Sequence, residues 1–227
     1  MTSSATLATS GRVMNWGWPY DAVVWLSDKT VFRGKLAEAR RRAIELADLA
    51  PGEAVLDVGC GTGTLALLAK EQVGTAGRVV GVDPGPRQIA RARAKTRGRG
   101  IELEVGVIEK LPFADGTFDA VLSTLMMHHL PDELKRRGLA EVARVLTPGG
   151  RLVVIDVKRH AFAPGKPPRV GAGGFGVAEL PILMAQAGFI AISSGDLPMP
   201  RLPGLPRAGY ATGRLPYVAA AFTAPLP

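Results

Sequence analysis

The chain has 227 residues, which fits one domain, or one domain with appendages, and suffices to bury a sizeable core. Its single cysteine excludes a disulfide framework and a thiol-rich metal site, and favours a reducing cytosol. No stretch resembles a signal peptide or a transmembrane span, and residues 1–12 are predicted to be a frayed tail. The formal charge of +8 is compatible with an anionic substrate, a nucleic acid or a membrane surface as the binding partner. A generally arginine-rich composition would produce the same positive charge without any such partner.

The segment before the first predicted strand contains aromatic residues and then a helix. The aromatic stretch WGWPYDAVVWLSDKTVF includes a proline turn. In the next segment, VFRGKLAEARRRAIELADL, apolar residues recur at helical spacing and basic residues occupy the opposite face. Pro51-Gly52 ends this helix.

Short strands and helices alternate between residues 54 and 157. Strands are predicted at 54–58, 78–83, 101–105, 118–123 and 151–157, and helices at 62–73, 85–97 and 132–146. Helices between Val-rich strands indicate right-handed βαβ units on a parallel sheet, and near-continuous apolar strands indicate that both sheet faces are covered. The predicted fold class is therefore α/β, with a doubly wound sheet.

After residue 157 the pattern becomes less regular. The Gly/Pro-rich, basic segment KRHAFAPGKPPRVGAGGFG is predicted to be a loop, and a helix is predicted at 177–187. Two closing strands are predicted at 189–193 and 217–223, separated by a Pro-rich excursion. No second globular domain is expected, because the remaining loops are too short and too polar or Pro-rich to form a core.

A glycine-rich turn follows the first strand, in the stretch VLDVGCGTGTLALLAK. Gly59, Gly61 and Gly63 lie at the sheet edge where doubly wound folds bind ligands, and glycine lets a ligand approach the backbone closely. The spacing lacks both the third glycine of a dinucleotide fingerprint and the G-K-[ST] of a triphosphate loop. The turn therefore suits a nucleoside ligand without a pyrophosphate; a tight turn with no ligand is the alternative interpretation.

The second strand ends in Val82-Asp83. A carboxylate at this place is well situated to accept hydrogen bonds from both hydroxyls of a ribose. An aspartate at a strand end also serves as a helix cap, but beside the glycine turn the ligand role is favoured.

Five motifs in this order resemble the class I S-adenosylmethionine-dependent methyltransferases, particularly their quinone, sterol and small-molecule branch: VLDVGCGTG, GVDPG, LPFADGTFDAVLS, HHL and EVARVLTPGGRLVVID. The similarity runs without a gap from about Leu49 to Val157. It implies a single Rossmann-like domain whose seven-stranded, mostly parallel sheet has an antiparallel last strand, in agreement with the two closing strands. We accordingly divide the chain into a tail and lid segment, 1–30, and a methyltransferase domain, 31–227. Within that domain, residues 49–157 form the cofactor-binding core and residues 158–227 the substrate side.

The resemblance implies S-adenosylmethionine as the cofactor. The residues that it implies for cofactor binding are Tyr20, Asp57, Gly59, Cys60, Gly61, Gly63, Asp83, Pro84, Val107, Ile108, Ser123 and Thr124. The three glycines are expected to line the methionine and ribose, and Asp57 to orient the loop or meet the cofactor's amino group. Asp83 is expected to bind the ribose hydroxyls, Pro84 to pack near the adenine, and Ser123 and Thr124 to lie beside the sulfonium. Cys60 is also interpreted as a small buried residue of the loop.

The sequence departs from the family pattern in one place. Gly106-Val107-Ile108-Glu109 stands where the family often has Gly-Asp-Ala-Glu, whose aspartate holds the adenine amino group. Val107 cannot accept that hydrogen bond, so the adenine is expected to rely on backbone groups and on apolar packing around Val107, Ile108 and Leu111. The pair Tyr20-Asp21 resembles the family's entrance motif, in which the tyrosine covers the methionine end of the cofactor.

Methyl transfer from a sulfonium is an in-line displacement, in which a general base is optional. His129 and His128 follow the fourth strand at its cofactor end, and histidine titrates near neutral pH, so they are the candidate catalytic residues. The alternative is that they only pack against the next helix. His160, in the loop after the fifth strand, is a third candidate.

The residues present argue against several acceptors. Arsenite binding needs several thiols, and cytosine C5 methylation needs a catalytic cysteine beyond the glycine loop. The [DN]-P-P-[YFW] motif of nucleobase amino methylation and the acidic set of a catechol-type metal site are both missing from the sequence, so no metal is expected. A small apolar or amphipathic acceptor, methylated at O, N or C, remains. Leu125, Met126 and Met127 are expected near its pocket.

We expect the lid over that pocket to come from the N-terminal segment. The aromatic residues expected in it are Trp16, Trp18, Tyr20 and Trp25, with Phe162 and Phe175.

Two functions of other kinds stay open. The basic helix at 87–99 is compatible with an RNA or a phospholipid-headgroup methyltransferase, although a solvated outer face is favoured, and neither nucleic acid nor a membrane surface is the expected partner. The change at Val107 is compatible with a non-catalytic cofactor-binding homologue, against which the intact glycine loop argues. The sequence indicates no oligomeric state.

Overall fold

The computed structural model describes residues 9–158, 177–198 and 207–217. The helices are α1 (Trp18–Thr30), α2 (Lys35–Ala47), α3 (Thr64–Val73), α4 (Pro86–Lys95), α5 (Asp132–Val145) and α6 (Leu180–Gln186), with a short 3₁₀ helix at Met127–His129. The strands are β1 (Ala54–Val58), β2 (Arg78–Asp83), β3 (Ile101–Val105), β4 (Phe118–Thr124), β5 (Leu146–Lys158), β6 (Ile190–Leu197) and β7 (Arg207–Arg214). Across these ranges, no helix combines the length and the apolar character needed to cross a membrane.

The strands form one seven-stranded sheet in the order β3-β2-β1-β4-β5-β7-β6. Pairing is parallel from β3 to β5, whereas β7 runs antiparallel to both β5 and β6. The predicted α/β class, the seven strands and the antiparallel last strand are therefore confirmed. The strand order reverses between β1 and β4, which opens a crevice at their carboxyl ends.

Helices cover both faces of the sheet. On one face α2 packs through Ala39, Ala43 and Ala47 beside α3, and small side chains at this i, i+4, i+8 spacing let the helix approach the strands closely. The basic helix α4 lies on the same face, packed against β3. The other face is covered by α5 and α6, whose leucines and valines pack on β1, β4 and β5.

The element boundaries at the chain's two ends differ from the prediction. The aromatic segment with its predicted proline turn is the helix α1, with Pro19 in its first turn, where the missing N–H of proline costs no hydrogen bond. The strand β5 begins at Leu146 rather than at 151, because Leu146 already pairs with Phe118 before the ladder resumes at Arg151.

The last strand is also misplaced in the prediction. Tyr217 lies in a bend and residues 218–223 lie outside the described residues, while the seventh strand is Arg207–Arg214, inside the predicted Pro-rich excursion. This strand lies between β5 and the edge strand β6, and a Cβ on Gly213 would lie 2.8 Å from the Met184 side chain. Packing at this position favours small residues. Because these residues have low strand propensity, the sequence pattern does not indicate a strand here.

Arg151 ties the strands to the helix layer from a nearly buried position. Its guanidinium donates hydrogen bonds to the backbone carbonyls of Ala47 and Asp48 at the end of α2, and to both carboxylate oxygens of Glu53 before β1. Burial alone would raise the pKa of Glu53, but the hydrogen bonds from Arg151 hold it below its usual value.

We expect Arg151→Ala to lower the free energy of unfolding by on the order of 3 kcal/mol, because it leaves the Glu53 carboxylate and two carbonyls without their partner. Urea unfolding measures the change. The matched control is Arg42→Ala, which removes an exposed ion pair with Glu45 and is expected to cost less than about 1 kcal/mol. Equal losses in the two variants would contradict the anchoring role of Arg151.

Candidate functional site

The glycine loop turns back onto the neighbouring strand immediately after β1. The amides of Gly59 and Cys60 both donate to the carbonyl of Val82, at 2.8 and 3.0 Å. Gly59, Gly61 and Gly63 all have positive φ, of 74°, 55° and 78°, a conformation that favours glycine. A Cβ on Gly59 would lie 2.2 Å from Met126 Cγ, so no side chain fits there.

Asp83 joins the glycine loop to the turn after β2. One of its carboxylate oxygens accepts a hydrogen bond from the Gly61 amide at 3.0 Å, and the other accepts one from the Gly85 amide at 2.8 Å. Burial raises the pKa of Asp83 to about 6, against which these two hydrogen bonds act. The carboxylate lines the cleft, so an ionised Asp83 presents acceptors to a ligand there.

Asp57 lies beneath the loop, at the end of β1. Its side chain is 1% exposed, and its Oδ2 has no hydrogen-bond partner in the structure. Burial, and then the charge of Asp83, raise the pKa of Asp57 to about 7, while a hydrogen bond from the Ala66 amide lowers it. Ser123 Oγ, at the end of β4, is likewise buried without a partner. Two polar groups under the cleft thus carry unused hydrogen-bonding capacity.

A cleft opens at the carboxyl ends of β1, β2 and β4. The predicted site residues that line it are Tyr20, Gly59, Gly61, Asp83, Pro84, Val107, Ile108, Thr124 and His129. Val107 and Ile108 are nearly buried and provide an apolar wall, with the Gly106 amide donating to the Asp83 carbonyl at 3.2 Å. The cleft therefore has an apolar side and a carboxylate side.

Five predicted residues lie around the cleft rather than on its lining. They are Asp57, Cys60, Gly63, Ser123 and His128. The thiol of Cys60 packs among Ile89, Ala92 and Leu103 under α4, and burial raises its pKa well above the usual value. Gly63 is the N-cap of α3.

The N-terminal segment crosses the cleft as an extended strap, residues 9–17. The Arg12 amide donates to the His129 carbonyl at 3.0 Å, and Thr9 Oγ1 donates to Glu109 Oε1 at 2.6 Å. At the other end, the Gly17 amide donates to Gln88 Oε1 at 2.8 Å. The strap thus bridges the β4 and α4 sides of the cleft.

The structure differs from the predicted aromatic lid. Tyr20 does line the cleft, where burial raises its pKa. Trp16, Trp18 and Trp25 instead point outward and are more than half exposed. The other lid residues expected from the sequence, Phe162 and Phe175, and the third histidine, His160, lie outside the described residues.

The two adjacent histidines have different surroundings. His129 lines the cleft, and burial, followed by the neighbouring His128, lowers the pKa of His129 to about 4. The His128 ring lies against it with the centroids 3.9 Å apart and the planes tilted by 47°. The Nδ1 atom of His128 lies 2.6 Å from Asp156 Oδ1, while the His128 amide donates to Asp156 Oδ2 at 3.0 Å.

Sequence analysis missed Asp156, which is 1% exposed. The available signal was its position near the carboxyl end of β5, because carboxyl ends of parallel strands meet at one edge of the sheet. The N-terminal segment was expected over the pocket, but Gln88 and the contacts of the strap were not predicted, because they join residues far apart in the chain and leave no local pattern.

The chain is similar in sequence to known methyltransferases. Residues 55–150 match a family described as a methyltransferase domain. A demethylmenaquinone methyltransferase of Thermus thermophilus is 43% identical over 141 residues, which cover 61% of this chain and 58% of that protein. An arsenite methyltransferase of Halobacterium salinarum is 36% identical over 156 residues, which cover 64% of this chain and 39% of that protein.

Over residues 55–150 the chain therefore carries a methyltransferase domain similar to those of these relatives. A solved structure described as a SAM dependent methyltransferase from Aquifex aeolicus shares the fold, with a TM-score of 0.64 and 21% identity, over 83% of this chain and 93% of that one. The chain spans about half the length of the curated relatives that it matches.

We expect Asp57→Asn to stabilise the ligand-free methyltransferase domain by on the order of 2 kcal/mol at about pH 8, with a smaller gain at about pH 5. The pKa of Asp57 is about 7 in the folded chain, against an ordinary value of 3.8 for an aspartate in water. At high pH the carboxyl is ionised in both the folded and the unfolded state, but only the folded state bears the cost of a buried charge. As the pH falls below about 7, the folded carboxyl binds a proton before the unfolded one does, so the cost shrinks with pH and is gone only near the ordinary value of 3.8.

Thermal unfolding of both proteins at the two pH values measures the difference. Asp115→Asn is the control, because that carboxylate is exposed and its removal is expected to have little dependence on pH. An Asp57→Asn variant that is no more stable than wild type at about pH 8 would contradict the prediction.

Proposed function

We propose that this chain transfers a methyl group from S-adenosylmethionine to a small apolar organic acceptor. The observation that carries the proposal is the joining of the bare glycine loop to Asp83, whose carboxylate faces the cleft while it holds the loop through the Gly61 amide. When bound, S-adenosylmethionine supplies an electrophilic methyl group on a positively charged sulfur.

The residues of the cleft fit this cofactor. Gly61 leaves the approach to the backbone open, since a Cβ there would have only Tyr20 as a neighbour, at 4.0 Å, and Asp83 offers carboxylate oxygens to hydroxyl donors. Asp83 and Glu109 on the lining outnumber the cation Arg12 and so favour a cationic ligand, and the unpartnered Oδ2 of Asp57 belongs to a third acidic group below the loop. Pro84, Val107 and Ile108 offer apolar surface to a base. We propose that backbone groups hold the adenine in place of the aspartate that Val107 replaces.

The proposed acceptor is of the reduced-quinone class. The far side of the cleft is apolar, with Leu125, Met126 and Leu130 on its lining, and methionine adapts to loosely shaped ligands. Similarity to the demethylmenaquinone methyltransferase supports this class. Arsenite is not proposed, because the only cysteine of the chain, Cys60, has a buried thiol with a raised pKa.

For the general base, the structure supports His128 over His129. The lowered pKa of His129 makes it a weak base near neutral pH. In His128, a proton on Nδ1 satisfies Asp156 Oδ1, which leaves the Nε2 lone pair free to take a proton from an acceptor hydroxyl. We propose that Asp156 is a positioning residue that holds this tautomer and stabilises the imidazolium formed. Removing the hydroxyl proton of a hydroquinone makes both its oxygen and its ring carbons more nucleophilic.

We also propose the division of the chain into residues 1–30 and 31–227, a cytosolic location, and the roles given above for the remaining cofactor-binding residues. A non-catalytic homologue is an outcome of the first experiment below. An RNA methyltransferase is not proposed, because α4 contributes Gln88 to the lining of the cleft but none of its basic residues.

We expect wild-type chain to bind S-adenosylmethionine and S-adenosylhomocysteine saturably, and Asp83→Ala to weaken binding at least about tenfold, because it removes both carboxylate acceptors and the tie to Gly61. Binding to the wild type should also weaken below about pH 6, where Asp83 takes up a proton. Calorimetric titration at about pH 8 and about pH 5 measures both effects.

Asp115→Ala serves as the control, since its exposed carboxylate lies outside the cleft. Equal affinity in wild type and Asp83→Ala would contradict the ribose role of Asp83. No binding by the wild type would contradict the proposed activity and favour a scaffold without cofactor.

We expect His128→Gln and Asp156→Asn each to lower kcat about 100-fold on substituted hydroquinones, with KM and cofactor affinity nearly unchanged, because a general base acts only on the reacting proton. His129→Gln should cost much less. The decrease in kcat should be smaller for hydroquinones with more acidic hydroxyls, because these ionise more readily without a general base. A loss that does not depend on acceptor acidity, or that is largest in His129→Gln, would contradict the assignment.

A further inference from the structure

The helix α1 presents a continuous apolar stripe to solvent. Trp18, Ala22, Trp25 and Leu26 recur at i, i+4, i+7 and i+8, so they share one side of the helix. Trp18 is 70% exposed, Trp25 is 63% exposed and Leu26 is 56% exposed, and no residue of α1 is fully buried. Trp16, just before the helix, is also exposed. A stripe of large apolar side chains on a surface marks an interaction site.

Charges around this stripe are segregated by sign. The segment 9–35 has two acidic residues, and both are engaged with the body of the domain. Asp21 pairs with Arg91 at 2.6 Å, and Asp28 accepts hydrogen bonds from the Leu36 and Ala37 amides at the start of α2. The exposed ionisable residues of the same segment are cationic: Lys29 lies in the last turn of α1 and Arg33 just after it, whereas Arg12 lines the cleft. The outer side of α1 is therefore apolar and positive.

The inner side of the same helix belongs to the cleft. Tyr20 lines the cleft, and Asp21 bonds to Thr62 in the glycine loop. A surface that binds the outer side of α1 is thus one helix diameter from the cofactor loop.

We propose that the outer face of α1, defined by Trp16, Trp18, Trp25, Leu26 and Lys29, docks this chain on an anionic lipid bilayer. Tryptophan suits the membrane interface because its ring is apolar and its N–H stays hydrated. Cations beside an apolar helix stripe add attraction to anionic lipid headgroups. The bound helix lies in the plane of the membrane interface. The chain is thereby held at the membrane surface, from which it takes an apolar acceptor.

Charge argues against a second copy of the chain as the occupant. A twofold pair would bring each stripe against its own copy, so the same cations would face one another with no acidic partner on this face. An anionic bilayer instead complements both the apolar stripe and its positive rim.

Intrinsic fluorescence tests the proposal directly, because all three tryptophans of the chain belong to this face. Full-length chain is mixed with vesicles of phosphatidylcholine, alone or mixed with phosphatidylglycerol. We expect a blue shift and co-sedimentation only with the mixed vesicles, and weaker binding at high salt. Binding to both vesicle types alike, or to neither, would overturn the proposal.

Matched variants place the binding site. Leu26→Ser should weaken vesicle binding at least about fivefold, whereas Ile182→Ser, which removes a similarly exposed aliphatic side chain on α6, should not change it. Lys29→Glu should weaken binding about fivefold or more, whereas Arg97→Glu, just after the end of α4, should have little effect. A larger effect from Arg97→Glu would place any binding on α4 and overturn the assignment to α1.

Three controls distinguish membrane docking through α1 from unfolding, from self-association and from loss of the cofactor site. Thermal unfolding should show all four variants folded, since each changed side chain is exposed. Sedimentation equilibrium of the free chain should show no self-association that Leu26→Ser abolishes; such an association would assign the face to a second copy instead. Binding of S-adenosylmethionine should be unchanged in every variant. The idea that the chain draws an apolar acceptor from the membrane rests on the proposed function. Because cofactor binding and vesicle binding are measured separately, failure of the proposed function and failure of the membrane proposal are distinguishable.

Discussion

The cleft depends on the carboxylate of Asp83, which holds two loops from two strands at one point. One oxygen accepts the amide of Gly61 after β1 and the other accepts the amide of Gly85 after β2. This arrangement places backbone from both loops at the reversal of strand order, where the sheet leaves a crevice. Burial raises the pKa of Asp83. The ionised side chain that organises the site therefore also lowers the stability of the ligand-free fold. A ligand that bonds to the ionised form offsets this cost.

The walls of the cleft come from distant parts of the chain. The strap before α1 is held by His129 on one side and by Gln88 on the other, so residues near the N-terminus complete a pocket whose floor is built from β1 and β4. Asp21 adds a tie from α1 to Arg91 on α4. Asp21 and Asp28, the two acidic residues of segment 9–35, both contact the body of the domain. The outer surface of α1 is therefore apolar and positive. The inner and outer sides of one helix therefore serve different roles.

The core elements were predictable because each has a strong local signal. β1, β2 and β3 have the predicted bounds. β1 and β2 are largely apolar because both of their faces are covered, and the edge strand β3 alternates apolar residues with Glu102 and Glu104. β7 was not predictable, because its packing between β5 and β6 favours the small residues Ala211 and Gly213, which have low strand propensity. The helix α1 was missed for the opposite reason, since its apolar stripe faces solvent and its inner face is only half-buried.

The sequence by itself determined the α/β class, the glycine loop with Asp83, and the cofactor family, because these depend on short motifs in a set order. Only the tertiary structure decided which histidine has a carboxylate partner, since Asp156 is 28 residues from His128 and meets it across two strand ends. It also decided that three tryptophans face outward rather than over the cleft. Such contacts join residues whose separation along the chain carries no periodic signal, so only the packed fold reveals them.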